Sequence, residues 1–243
     1  MSGDTPVHDA IGSPLRRRMV PLLLDIGASV NCANKFGNLP LHYACDIGDW
    51  EVAERLMMMG VATNVVNLAG ETPLHRCASG VHADFIKGSA NVASHLLQNH
   101  SGDPDAPTIF GRTPLHYAAY YGHIEVAQSL LDQCAVCDVF DCQGLSPLHA
   151  AVYQGHLELV KLLLKHGANP DAIGGAKETF VSADILTENG GIGGDKDGLH
   201  HNVLSYSTIL IPTFSTPLSL ARSGDDDDLV EVLKRGGATI VRI

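Results

Sequence analysis

The stretch Thr113-Pro114-Leu115-His116-Tyr117-Ala118 decides how this chain reads, because it recurs. Towards the N-terminus the same positions are Thr72-Pro73-Leu74-His75-Arg76-Cys77, with the alanine one place later at Ala78. Further back come Leu39-Pro40-Leu41-His42-Tyr43-Ala44 and Thr5-Pro6-Val7-His8-Asp9-Ala10. Towards the C-terminus the pattern returns as Ser146-Pro147-Leu148-His149-Ala150-Ala151, and once in degenerate form as Thr216-Pro217-Leu218-Ser219-Leu220-Ala221. The prolines of these copies are separated by 34, 33, 41, 33 and 70 residues. A period of 33 therefore runs through the chain, with eight residues inserted in the third unit and 37 after the fifth. A fixed period of this length is the mark of a repeat architecture.

The chemistry of the motif explains its residues. A Thr or Ser hydroxyl caps a helix N-terminus by accepting an orphan backbone N–H. Proline fits the first helical position, where no N–H is needed and φ is already set. Leucine and the small alanine face the neighbouring unit. Glycines 48, 122, 155 and 224 end this first helix in a turn. A second helix follows with apolar residues at i, i+3 and i+4, as Leu159, Leu162 and Leu163 in the fifth unit. No unit can bury its apolar face alone, so stability has to come from stacking.

These residues resemble the ankyrin-repeat family. Gly122-His123-Ile124-Glu125-Val126-Ala127 and Gly155-His156-Leu157-Glu158-Leu159-Val160 are similar to that family's Gly-His-Leu-Glu-Val-Val. His166-Gly167-Ala168-Asn169 and Ile26-Gly27-Ala28-Ser29-Val30-Asn31 are similar to its Gly-Ala-Asp-Val-Asn. The resemblance implies an all-α, ankyrin-repeat solenoid of stacked helix-turn-helix units with hairpin-like inter-repeat loops. The expected organisation is one domain over 1–243, with units at about 3–35, 36–69, 70–110, 111–143, 144–173 and 214–243. The insertions fall at about 79–89 and 174–213. The resemblance further implies that His8, His42, His75, His116 and His149 are structural, each tying its turn to the adjacent unit. His123 and His156 also hold a repeat position and take the same reading.

Composition narrows the function. The formal charge is −11, and an acidic chain repels phosphate backbones, so no nucleic-acid partner is expected. The short cluster Arg16-Arg17-Arg18 reads as a solvated turn. No apolar run approaches the ~20 residues needed to span a bilayer, and no signal-peptide pattern is seen, so a soluble cytoplasmic protein is expected, with the nucleus as the alternative. The six cysteines read as free thiols of a reducing compartment.

No catalytic residue, metal ligand or cofactor is predicted. There is no nucleophile elbow. The glycine-rich stretch 190–194 lacks the strand and helix of a nucleotide fingerprint and reads as a loop. Residues 225–228, four aspartates, read as the start of a helix, where acids suit the macrodipole. Trp50 stands at a position that normally packs inside and is expected in the core.

The predicted function is a non-catalytic protein–protein interaction module: an adaptor, scaffold or regulatory subunit. The resemblance places partner binding on the concave surface made by loop tips and first helices. Mapped onto this chain, the contact residues are Phe36, Asn38, Ile47, Ile109, Phe110, Arg112, Tyr120, Tyr121, Leu145, Tyr153 and Gln154. Lys35, Asp46, Glu71 and Gln143 hold equivalent positions. The aromatics and arginine of the fourth and fifth units are residue types that dominate binding hot spots. A monomer is expected, with Ile240, Val241 and Ile243 as the residues through which it would self-associate if exposed. Two alternatives remain at this stage. One is a thiol-based metal or redox sensor using Cys134, Cys137 and Cys142. The other is the repeat region of a larger multidomain protein.

Overall fold

A computed structural model describes residues 2–80, 86–99, 102–175 and 215–239. Among them lie twelve helices in six pairs. The first helices are α1 (Pro6–Gly12), α3 (Pro40–Ile47), α5 (Pro73–Ser79), α7 (Pro114–Tyr121), α9 (Pro147–Tyr153) and α11 (Pro217–Ser223). The second helices are α2 (Arg16–Asp25), α4 (Trp50–Met58), α6 (Ile86–Asn99), α8 (Ile124–Asp132), α10 (Leu157–Lys165) and α12 (Asp227–Arg235). Each first helix packs on the next first helix and each second helix on the next second helix, giving two parallel layers. The core runs between the layers as a single strip: Leu41, Leu115 and Leu148 of the repeated motif are fully buried, as are Leu56, Leu130, Leu159 and Leu163 of the second helices.

The motif histidine is the joint between units. In each of the first five units its Nδ1 accepts a backbone N–H three residues back, from Thr5, Leu39, Thr72, Thr113 or Ser146, at 3.0–3.2 Å. That leaves the proton on Nε2, which donates to a carbonyl of the next unit: Asn38, Glu71, Arg112, Leu145 or Ser215, at 2.9–3.2 Å. The hydroxyl behaves less uniformly than the cap reading expects. Thr72 and Thr216 accept the N–H three residues on, and the Thr5, Thr72, Thr113 and Ser146 hydroxyls lie 2.8–2.9 Å from the histidine Nδ1. His123 and His156 make similar bonds backwards, to the carbonyls of Ala78 and Tyr120.

Four details differ from the sequence reading. Gly48, Gly122 and Gly155 have the expected left-handed φ, but Gly224 does not; Asp225 takes that conformation at φ 53°. The eight-residue insertion does not stay a loop: α6 has 14 residues where α4, α8, α10 and α12 have nine, so its later part lengthens a helix. Arg16 and Arg17 are not in a turn. They open α2, and both Nε atoms reach Asp49 Oδ2, at 2.9 and 3.1 Å. Trp50 is only half-buried, at the rim of the core, with its ring edge-on to His95 at 5.0 Å.

The long insertion leaves the stack undisturbed. Gly174 and Ser215 form an isolated antiparallel bridge, with Gly174 N–H donating to Ser215 O at 2.8 Å. The two ends of the insertion therefore meet, and α9 packs directly on α11. The expectation for 190–194 lies outside the described residues, as do those for Ile240, Val241 and Ile243. The aspartates behave as read: Asp226 caps α12 by accepting Leu229 N–H, and Asp227 and Asp228 fill its first turn.

Candidate protein-binding surface

The inter-unit loops share one construction. Asn34, Asn67, Thr108 and Asp141 each place a side-chain oxygen on two backbone N–H groups, two and four residues ahead. Each loop also closes on itself, for example Asn67 N–H to Glu71 O at 2.9 Å. Successive tips are then joined: Leu68 N–H donates to Phe36 O, Ile109 N–H to Ala69 O and Cys142 N–H to Phe110 O. The tips thus form a pre-ordered edge, and a partner meeting it need not pay the full ordering entropy of a loose loop.

Hydrophobic side chains stand out along this edge. Phe36 is 46% exposed, Leu68 70% and Ile109 56%. Phe140 and Ile173, just before the next two tips, are also exposed. Leu68, Phe140 and Ile173 are absent from the sequence-based set. Leu68 was within reach, since aligning Gly70 with Gly111 puts it in the register of Ile109.

The remaining predicted residues divide. Lys35 and Tyr153 are exposed, and Asn38, Phe110, Arg112, Tyr120, Tyr121, Gln143 and Gln154 are half-buried. Tyr120 meets Tyr121 edge-on at 5.2 Å, and Tyr121 stacks on His123. Arg112 is committed to its neighbours, with Nε 3.0 Å from Asp141 Oδ2 and an Nη donating to Gln143 Oε1. Four predictions are corrected. Ile47 and Leu145 are buried apolar residues, and Asp46 and Glu71 are buried acids. The residue after each tip glycine is held by the motif histidine, and at Glu71 and Leu145 this turns the side chain inwards. Ile47, in the last turn of α3, is buried in the core.

The buried acids belong to a charged network beneath the surface. Arg76 approaches Asp46 at 3.0 Å and Glu71 at 3.5 Å. Glu71 also accepts from Asn67 Nδ2 at 2.8 Å and from the Tyr117 hydroxyl at 2.9 Å. Burial pushes the Glu71 carboxyl up, but Arg76 and these two donors outweigh it and hold it below the usual glutamate value. Burial, then the Glu71 charge, pushes the Tyr117 phenol far up. A shallow cleft above the network is lined by Arg112, Tyr117, Tyr120, Asp141 and Leu145.

Burial disfavours the thiolate at two of the three cysteines in the Cys134, Cys137 and Cys142 set. All six are free thiols. Burial, helped by Asp138 and Asp105 at one site and by Asp141 at the other, pushes the Cys137 and Cys142 thiols up, which makes them weaker nucleophiles and metal ligands at neutral pH. Among the described residues no group of three His, Cys, Asp or Glu is placed to hold a metal ion. No helix there is long and apolar enough to cross a membrane.

Comparison with known proteins agrees with this architecture. Residues 23–87 match a family model of ankyrin repeats in many copies, and residues 81–173 a model of three ankyrin repeats. Together these cover more than half of the chain. It is similar to a probable E3 ubiquitin-protein ligase of Oryza sativa subsp. japonica, 32% identical over 152 residues, 53% of this chain and 30% of that protein. It is also similar to ankyrin repeat domain-containing protein 63 of Homo sapiens, at 31% identity over 53% of this chain and 33% of that protein. A third relative is an ARF GTPase-activating protein of Homo sapiens, at 33% identity over 38% of this chain and 11% of that protein. The matched part thus spans a third or less of each relative. With paired helices, linking histidines and stacked loop tips in one continuous series, the chain belongs to the ankyrin-repeat family, whose repeats are non-catalytic modules that bind other proteins.

Proposed function

We propose that this chain is an adaptor or regulatory module that captures a protein partner on its loop-tip edge and the adjoining first helices. The observation that carries this reading is the exposed row Phe36, Leu68 and Ile109 on a rigid, hydrogen-bonded edge. Exposed apolar side chains held in a fixed row contribute nothing to folding and match the apolar anchors of an interface. Tyr153, with the half-buried Phe110, Tyr120 and Tyr121, extends the row into the fourth and fifth units. The six units act as one continuous domain, since neither insertion interrupts the stacking. The free thiols and acidic charge fit a cytoplasmic setting.

The relatives support a further possibility for the whole protein: this stretch is the partner-selecting region of a longer, multidomain chain, as the part it matches is a minor share of a ligase and of a GTPase-activating protein.

The test is affinity capture by the wild type and by Phe36→Ser/Leu68→Ser/Ile109→Ser, with Met58→Ser as control. Met58 is also an exposed hydrophobe but lies on a second helix. The reading expects partners lost from the triple variant and kept by the control. Equal capture by all three refutes it.

A further inference from the structure

We infer that, given a partner on the first-helix face as proposed above, the cleft between α7 and α9 takes one of that partner's aromatic side chains. The fifth residue of the repeated motif is Asp9, Tyr43, Arg76, Tyr117, Ala150 or Leu220, in unit order. Two of these show what the position holds. Tyr43 meets the motif histidine of the preceding unit, His8, edge-on at 5.0 Å, and its hydroxyl donates to Asp4 Oδ1 at 3.0 Å. Tyr117 meets the preceding motif histidine, His75, edge-on at 5.4 Å, and its hydroxyl donates to Glu71 Oε1 at 2.9 Å. Asp4 and Glu71 hold the same place, just before the motif of their unit. Each tyrosine therefore lies against a histidine and an acid of the unit before.

In the fifth unit the tyrosine is replaced by Ala150, and the matching histidine and acid are His116 and Arg112. All three line the cleft, together with Tyr117, Tyr120, Asp141 and Leu145. The cleft is thus the place of a motif tyrosine that this unit does not supply. It lies inside the stack and not at an end, since α9 packs on α7 at one side and on α11 at the other. A ring entering from a partner would take the position that Tyr43 and Tyr117 take from within the chain.

The charges around the cleft favour a neutral ring. Arg112 places its Nε 3.0 Å from Asp141 Oδ2 and donates from an Nη to Gln143 Oε1. Asp141 uses its other oxygen on two loop N–H groups. A charged side chain would lose its water against an ion pair already closed on itself, and such a loss is poorly recovered. An aromatic ring loses little on leaving water, packs against Tyr117 and Tyr120, and is attracted to a guanidinium. Aromatic side chains seated in pockets are the strongest anchors of protein interfaces.

The probe is p-cresol, the tyrosine side chain as a free molecule. Titrated into the full chain and followed by methyl NMR, it should give saturating shifts at Leu145 and Ala150, with Kd on the order of 1 mM. n-Butylammonium and propionate, the ends of lysine and glutamate, should bind about tenfold more weakly or worse. Ala150→Tyr should fill the cleft from within, keep the circular dichroism spectrum and weaken p-cresol at Leu145 by about tenfold or more. Ala150→Leu copies Leu220 of the sixth unit and should act in the same direction, which guards against misfolding of the tyrosine variant. The inference is overturned by shifts that do not saturate at these methyls, by a charged probe that binds as well, or by p-cresol indifferent to both substitutions. In affinity capture, Ala150→Tyr should weaken the retained partner by about tenfold. A partner lost from Phe36→Ser/Leu68→Ser/Ile109→Ser but kept in full by Ala150→Tyr overturns the cleft and leaves the loop-tip reading standing. A partner indifferent to the triple variant, with p-cresol bound as expected, refutes the loop-tip reading and leaves the cleft's preference for a ring standing.

Discussion

Lowering the pH from 7 to 5 should strongly destabilise this protein before its carboxylates are protonated. His42, His75 and His116 are buried and neutral, each with a pKa pushed from 6.5 down to about 4 by burial. The sign follows from proton counting. Below 6.5 the unfolded chain takes up a proton at each ring, and the folded chain does not until about pH 4. Stability is therefore whole above 6.5, falls as pH drops, and levels off below about 4. Each ring costs about 1.4 kcal/mol per pH unit in that window, or about 2 kcal/mol by pH 5. Three rings together cost about 6 kcal/mol, a large part of an ordinary domain's 5–15 kcal/mol. Glu71, Asp49 and Asp4 have lowered pKa values and add their own loss only at more acid pH. The assay is denaturant unfolding followed by circular dichroism at pH 7.5, 6 and 5. The midpoint should fall steeply across the series, and His116→Gln should flatten the slope by less than a third, because burial also lowers the pKa values of His8, His123 and His149. Equal midpoints at pH 7.5 and 5 would refute the account of these histidines as neutral joints.

Three substitutions test the local arguments. Cys134 sits at φ 62°, in the register where Gly27, Gly60, Gly167 and Gly237 stand in other units, so Cys134→Gly should raise stability by about 1 kcal/mol and Tm by about 2–4 °C in a thermal melt. Gly70→Ala should do the reverse. A Cβ there lies 2.7 Å from the Ile109 backbone nitrogen at φ 76°, so a loss of about 1–3 kcal/mol and a drop in urea midpoint are expected. Glu71→Ala removes one of the two buried acids that Arg76 approaches and an acceptor of the Tyr117 hydroxyl, so it should cost about 3 kcal/mol in the same titration.

The fold was readable because each unit restates it locally. Thr113-Pro114-Leu115-His116 specifies cap, first turn, core contact and inter-unit bond in four residues, and the other copies repeat the message. The binding surface was less readable because exposure depends on the neighbouring unit. Leu145 and Ile109 look equally available in sequence, yet one turns inwards beneath the bond from His116 and the other stands clear at a tip. Glu71 gives no local sign of burial, since its stabilising partners include Arg76, on the helix that follows, and Tyr117, in the next unit.

The most direct test of the central claim is site-specific photocrosslinking in cells, with benzoylphenylalanine placed singly at Phe36, Leu68, Ile109 and, as control, Met58. All four side chains are exposed, so the probe should not disturb folding. A protein partner bound on the loop-tip edge predicts the same adduct from positions 36, 68 and 109 and none from 58. Adducts from Met58 alone, or equally from all four positions, would contradict it.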